Sequence, residues 1–543
     1  MRFEVLDVDA LARIGKIELG NKKLITPNLF PVVHPYNNTI NPSDIKEIGF
    51  NSIFTNAYIL YQNKEKRKSV LKKGIHQFLG YDGLIATDSG AFQQYMYNEG
   101  GIEIKADEIE HFQEGIKSDF PVILDYPVQP DDDFSTAEKK VDVSLTRAKE
   151  NIERRKTKAC WIGPVHGSTH FDLLKRSARN MSKLDFGIFA IGGLVKYFLN
   201  YQFDKILRIL LTVKKEIIAN KPLHMFGLGL PQFFSLAIAF GCDLMDSAAY
   251  ALYAKEDRYF TLSTGTRNLN ELKEFPCTCP ICSTYTPTEL KSFPRSKRIN
   301  LLARHNLYIS HSELQTIRQS IRNGNLWELV EQRVRSHPRL LDALAILKEH
   351  NSFFECYEKI YKSHGRLFSS IESKYRPILH RYRRRIKNRY LIPKECKFAL
   401  FLPELDIKGR NSPTIANWLD KINNNKTISR KSMNILFYSK FFGIIPLGLM
   451  DTFPTGQYES SLFKKASELL YNDIPQRIMN FLNKKPNNYE KCAFLIPKTF
   501  TNQYGEEVQF NGKPVNKIFQ IIESYLSIPI IKADNLKDIF LWF

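Results

Sequence analysis

Cysteine is scarce: eight residues in 543, too few and too scattered to staple a disulfide scaffold. Three of them nevertheless crowd together as Cys277, Cys279 and Cys282, which points to a metal site in a reducing compartment rather than to cross-links. No uninterrupted apolar run reaches the roughly 20 residues a membrane span requires. The N-terminus, MRFEVLDVDALARIG, lacks the apolar stretch of a secretion signal. A cytoplasmic protein with no membrane partner is expected. Acidic residues are also short, 57 against 78 Lys and Arg, for a formal charge of +21. Such an excess favours an anionic partner, nucleic acid first, although a lysine-rich solvated surface gives the same balance. Apolar content of 43% with 25% charged residues excludes a disordered chain, and the length implies about two to four domains.

From Leu29 to about Ser247 short apolar runs alternate with longer amphipathic segments, the rhythm of βα units and a parallel sheet. Eight runs read as strands: 29–34, 52–58, 84–88, 121–125, 160–166, 187–192, 223–228 and 242–246. Eight units over this span fit a (β/α)8 TIM barrel, typically about 250 residues, with an open doubly wound sheet as the alternative. The strand ends favour the barrel. Asp88-Ser-Gly-Ala-Phe-Gln93, Asp125, His166-Gly-Ser, Gly192-Gly-Leu-Val195, Phe226-Gly-Leu-Gly229 and Asp246 all fall at carboxyl tips. A closed barrel gathers its tips around one mouth, whereas an open sheet concentrates function at one switch point. Taken singly, Asp88 reads as a turn residue, Asp125 as a helix cap and Gly192-Gly193 as a tight bend. Together they point to chemistry, with Asp246 foremost, because a carboxylate ending a buried strand must meet something polar.

Cys277-x-Cys279-x-x-Cys282 followed by His305 offers four ligands for one tetrahedral zinc. Three thiolates and an imidazole leave no open position, so the role is structural; the alternative is three reduced thiols without metal. Lys291, Arg295, Lys297 and Arg298 follow, and Lys255 and Arg258 precede. They are candidates for holding phosphates at the rim, though a solvated surface explains any single lysine.

Residues 310–350 read as two helices, SELQTIRQSIRNG and LWELVEQRVRSHPRLLDALAIL, separated at Gly324. They complete a catalytic domain over 1–350 that includes a zinc subdomain at about 270–310. A basic helical linker at 351–394 contains RPILHRYRRRIKNRY, where Arg and Lys interleave with tyrosine. That composition favours RNA contact or a solvated helix face. From 395 to 543 a new βα rhythm (KFALFLPEL, MNILFYSKFFGIIP, KCAFLIPKTF, SIPIIKA) implies a small α/β accessory domain without a catalytic constellation, and the runs at 423–426 and 483–488 read as loops.

The stretches TDSGAFQ (87–93), GPVHGST (163–169), IGGLV (191–195) and GCDLMDSAAYALYAKEDRY (241–259) resemble the tRNA-guanine transglycosylases, of the archaeal type. So do PCTCPICSTYTPTEL (276–290) and LLARHNLY (301–308), and the resemblance covers residues 1 to about 350. It implies exchange of guanine at position 15 in the tRNA D-loop for 7-cyano-7-deazaguanine, a step toward archaeosine. It also implies Asp246 as nucleophile, Asp88 as general acid and base, Asp125 on the Watson–Crick edge of the base, and Phe92 and Phe226 on its two faces. Gly193, Leu194 and Val195 correspond to a segment whose backbone lies against the base's substituent. One structural zinc, a homodimer and RNA contact at Lys255 and Arg258 belong to the same expectation. His166 stands where such proteins usually have a glutamine that bonds the base, and Ala91 where many have glycine. Relatives of this type usually end in a PUA domain; the sequence leaves no room for one, so a separate chain is expected to supply it or tRNA is held differently.

The chemistry agrees. Replacing one base by another with retained geometry needs two displacements at the anomeric carbon, which a carboxylate nucleophile provides through a covalent glycosyl-enzyme. One carboxyl group alternating between acid and base serves both halves, and neighbouring carboxylates push their pKa values apart. Aromatic faces suit a base drawn out of its stack. The rival expectations are a noncatalytic tRNA-binding paralogue or subunit, and a transglycosylase for another deazaguanine base.

Overall fold

Residues 2–26 form an antiparallel sheet of β1 (Arg2–Asp9), β2 (Ala12–Leu19) and β3 (Lys22–Thr26), an element the alternation of apolar runs does not reveal. The computed structural model describes residues 1–93, 104–157, 159–262, 264–364, 366–406, 409–426, 428–460, 471–483, 489–502 and 504–543. They divide into two units, Met1–Ile346 and Leu347–Phe543.

In the first unit eight parallel strands follow: β4 (Asn28–Pro31), β5 (Ser52–Asn56), β6 (Leu84–Asp88), β7 (Phe120–Pro121), β8 (Ile162–Val165), β9 (Ile188–Ile191), β10 (Leu223–Met225) and β11 (Leu244–Ser247). β8, β9, β10, β11 and β4 pair in succession, as do β5, β6 and β7. Parallel bridges Val32↔Phe54 and Val122↔Ile162 join the two sets. The ring therefore closes, and an open sheet is excluded.

Alternate residues of a strand face the same way. Leu84 and Ala86, Ile188 and Ala190, Ile162 and Leu244 all enter one buried cluster with Phe30, Phe54 and Phe120. Continued to the carboxyl tips, the same inward alternation ends in Asp88, Gly192, His166 and Asp246. Ile17 and Leu24 belong to that cluster too, so the antiparallel sheet floors the barrel. Arg13 fastens it by donating from Nε and a terminal nitrogen to the two oxygens of Asp243, each at 2.7 Å.

The observed strands are shorter than the apolar runs. β7 stops at Pro121 instead of running to 125 because side chains take over its carbonyls. Gln113 Nε2 donates to Val122 O at 2.9 Å and Ser89 Oγ to Ile123 O at 3.0 Å. Arg147 donates to Leu124 O and Asp125 O, both at 3.3 Å. The apolar run 234–240 belongs to the helix Pro231–Ala239, which is buried on every side. The break expected at Gly324 is present, at φ +68°; the helix before it is longer than expected, Arg295–Asn323, and the one after it is divided into Leu326–Arg333 and Pro338–Leu344.

The second unit has a five-stranded sheet in the order Gly443–Pro446, Met433–Ser439, Phe398–Pro403, Lys491–Leu495, Ile530–Ala533, all parallel except the first. The helix Pro377–Arg389 packs Ile378, Leu379, Tyr382 and Ile386 into the core of that sheet, so the segment 351–394 is part of this unit rather than a linker. Its arginines are largely structural. Arg381 donates to the carbonyls of Lys359, Glu355 and Glu358, Arg383 to those of Phe441 and Lys374, and Arg384 pairs with Glu355. The RNA-contact expectation therefore loses Arg381 and Arg383, while Arg384 remains exposed. The loop expectation at 484–488 lies outside the described residues. Among the described residues no helix is long and apolar enough to cross a membrane.

Candidate active site

At the carboxyl mouth of the barrel the three carboxylates Asp88, Asp125 and Asp246 share one electrostatic field. Burial and the charges of Asp125 and Asp246 push the Asp88 carboxyl up to about 7, against donations from the Gly90 and Ser89 backbone. Asn56, opposite Asp88 in the β5–β6 register, donates from Nδ2 to Asp88 Oδ2 at 2.7 Å.

Asp246, on β11, is held on one side only. His224 Nε2 lies 2.9 Å from its Oδ1, and the Gly227 N–H donates to the same oxygen at 3.3 Å. Oδ2 has no hydrogen-bond partner among the described residues. The side chain is 13% exposed, so it is not sealed in the core. A carboxylate with one oxygen fixed and the other open is arranged for nucleophilic attack.

Asp125 follows β7 and is buried. His166, at the tip of β8 and also buried, places Nε2 2.5 Å from Asp125 Oδ2. Gly192 is required beside it, because a Cβ there would stand 2.3 Å from His166 Cε1. Gly193 has φ +76°, and a Cβ would stand 2.5 Å from the Val128 carbonyl oxygen. Leu194 is buried and Val195 half-buried at the start of the helix Val195–Leu199, with Val195 Cγ2 close against Gly227. Phe226 stands edge-on to Phe54 at 6.0 Å and to His224 at 5.0 Å. Phe92 is half-buried two residues past the Ser89-Gly90 turn. Asp88, Asp125, His166, Gly192, Phe226 and Asp246 are thus linked around one mouth by these contacts and charges. Asn56 and His224 join them without having been expected: Asn56 ends β5 opposite the tip residue Asp88, and His224 lies on β10 two residues before Phe226.

The sequence matches the queuine tRNA-ribosyltransferase family over residues 7–339. The chain belongs to that family. It is 39% identical over 548 residues to the tRNA-guanine(15) transglycosylase of Methanocaldococcus jannaschii, a match covering 99% of this chain and 80% of the relative. The protein of the same name from Methanococcus aeolicus is 39% identical over 521 residues, 94% of this chain and 76% of the relative. That of Pyrococcus abyssi is 42% identical over 385 residues, 71% of this chain and 65% of the relative.

In this ribosyltransferase-family chain the four expected metal ligands converge. The donor atoms of Cys277, Cys279, Cys282 and His305 all lie within 4.8 Å of one another. His305 sits well inside the helix Arg295–Asn323. It is stacked on Tyr259 at 3.7 Å, and its Nε2 lies 3.1 Å from the Phe260 carbonyl oxygen. A proton on Nε2 satisfies that carbonyl and leaves the Nδ1 lone pair facing the sulfurs of Cys279 and Cys282, each 3.4 Å away. Such outer bonding fixes the tautomer of a metal-ligating imidazole. The donor set fits a metal ion.

The basic rim is less available than composition suggests. Arg258 donates to Thr266 Oγ1 and lies over the Tyr253 ring, 5.5 Å from its centre. Lys291 donates to the carbonyls of Asn270 and Leu272, and Arg298 pairs with Asp257 at 2.8 Å. Lys297 lies 3.7 Å from the centre of the Phe293 ring. Lys255, Arg295 and Lys297 are exposed.

Proposed function

We propose that the chain exchanges guanine at position 15 of tRNA for 7-cyano-7-deazaguanine by double displacement. The observation that carries this reading is a pair of carboxylates of opposite character at one mouth. Asp246 presents a free Oδ2 for attack, while Asp88, at about 7, keeps its proton near neutral pH. Asp246 Oδ2 attacks C1′ of the ribose. The C1′–N9 bond breaks with its electron pair passing to guanine, which takes a proton from Asp88. The second base then gives its N9 proton to the Asp88 carboxylate and attacks C1′, returning the electron pair of the ester bond to Asp246. Asp125 binds the edge of the base, with His166 holding one of its oxygens, and Phe92 and Phe226 flank the base. The turn at Gly193–Val195 receives its substituent. Lys255 and Arg258 contact tRNA phosphates.

The metal is proposed to be one zinc ion with a structural role. Zinc bonds of about 2.3 Å to sulfur and 2.0–2.1 Å to nitrogen at tetrahedral angles separate the two ligand atoms by about 3.5 Å, close to the 3.4 Å between His305 Nδ1 and two of the sulfurs. Such an ion would tie the helix Arg295–Asn323 to the loop of Cys277–Cys282.

The test is incubation of tRNA with radiolabelled guanine. Wild-type protein is expected to place label at position 15, and Asp246→Ala is expected to place none. Failure of the wild-type protein, alone and with a supplied RNA-binding partner, would overturn the enzymatic reading.

A further inference from the structure

His224, on β10, is a polar side chain buried inside the barrel. It is fully enclosed, with its ring 5.7 Å from Phe30, 6.0 Å from Phe54 and 5.0 Å from Phe226. Its Nε2 meets Asp246 Oδ1 at 2.9 Å, and its Nδ1 is buried without a hydrogen-bond partner among the described residues. These contacts decide its form. A doubly protonated ring would bury an unpaired N–H on a cation, which is expensive. A proton on Nδ1 alone would leave two acceptors, Nε2 and the carboxylate, face to face. The neutral ring with its proton on Nε2, donating to Asp246 Oδ1, is the form that fits.

We propose that His224 is the positioning residue of the nucleophile, and that it holds the covalent intermediate in reversible balance. The inference rests on the double-displacement reading above. The His224 N–H and the Gly227 N–H both occupy Oδ1, so the rotation of the carboxylate is fixed and Oδ2 is the oxygen that faces the ribose. When Oδ2 bonds to C1′, the C1′–N9 pair leaves on guanine and Oδ1 becomes the carbonyl oxygen of a neutral ester. A donor bonds an ionised carboxylate more strongly than a neutral carbonyl. The His224 N–H therefore favours the free carboxylate over the ester. It opposes over-accumulation of the glycosyl-enzyme and makes Asp246 a better leaving group when the second base attacks.

The test measures how tRNA partitions between free enzyme and glycosyl-enzyme. End-labelled tRNA is equilibrated with protein at several guanine concentrations, and the covalent fraction is read on a denaturing gel. His224→Phe keeps a ring among Phe30, Phe54 and Phe226 but removes the donor; His224→Leu replaces it where the larger ring prevents folding. His224→Gln restores an N–H. The apolar variant is expected to shift the equilibrium toward the covalent form by about five- to tenfold, while kcat falls by about tenfold or more and KM for guanine stays within about twofold. His224→Gln is expected to return the partition to within about twofold of wild type. An unchanged partition in the folded apolar variant, or an equal shift in the glutamine variant, would overturn the proposal. A wild-type protein that forms no adduct and exchanges no guanine would instead count against the functional reading beneath it.

Discussion

Asn56 and Asp88 stand opposite each other on neighbouring barrel strands, and the Asn56 amide donates to Asp88 Oδ2 at 2.7 Å. A donor to a carboxyl oxygen favours the ionised form, whereas burial and the Asp125 and Asp246 charges favour the neutral one and prevail, leaving Asp88 at about 7. The acid form is present below that value. Release of guanine, which consumes the proton, should fall about tenfold per pH unit well above 7. Asn56→Leu removes a donor that favours ionisation, so its falling limb should lie at higher pH. Single-turnover rates of adduct formation against pH measure both, and a limb shifted to lower pH in the variant would contradict the assignment.

The same shift carries a stability cost. A carboxyl whose folded pKa lies above its ordinary value of 3.8 binds its proton more tightly in the fold. Its contribution to stability is full below about 4 and is lost as pH rises toward 7. Asp88→Asn removes that loss. The variant should be inactive yet more stable than wild type at pH 8, by about 1 kcal/mol or more, with the advantage shrinking toward pH 4. Thermal melts at the two pH values decide it.

Gly193 is fixed by its φ of +76° and by the Val128 carbonyl, 2.5 Å from where a Cβ would stand. An alanine there costs about 1–2 kcal/mol in backbone conformation alone, and the turn must also move off that carbonyl. Gly193→Ala should lower kcat/KM for the incoming base about tenfold or more. Titration of the free base against wild type and variant separates a loss of binding from a loss of folding.

Cys282→Ala removes one of the four converging donors. The variant should purify without stoichiometric zinc and melt at a lower temperature, while any folded fraction keeps the wild-type KM for guanine, since the ion has no open position for substrate. Metal analysis of freshly purified protein against the melting curve tests this. Wild-type protein containing one zinc whose removal abolishes exchange without lowering the melting temperature would contradict a structural role.

The barrel was legible because its pattern and its function share a face. The period-two alternation that buries Ala86, Ile162 and Leu244 runs on to Asp88, His166 and Asp246, so strand tips rich in glycine and carboxylate pointed at the mouth. Other features depend on contacts that composition does not encode. Nothing in RPILHRYRRRIKNRY says that Arg381 and Arg383 will spend their donors on carbonyls of their own unit. Nothing around Asp125 announces that Ser89, Gln113 and Arg147 will replace a strand ladder there. His224 was hidden for a different reason: a lone histidine among apolar residues reads as core until Asp246 is seen 2.9 Å away.

Asp246 as nucleophile is the central claim, and locating the covalent bond tests it most directly. Wild-type protein mixed with tRNA, denatured, digested with nuclease and protease and analysed by mass spectrometry should yield one nucleotide-bearing peptide, modified at Asp246. The same treatment of Asp246→Asn should yield none. An adduct on a different side chain, or guanine exchange persisting in Asp246→Asn without any adduct, would contradict the account.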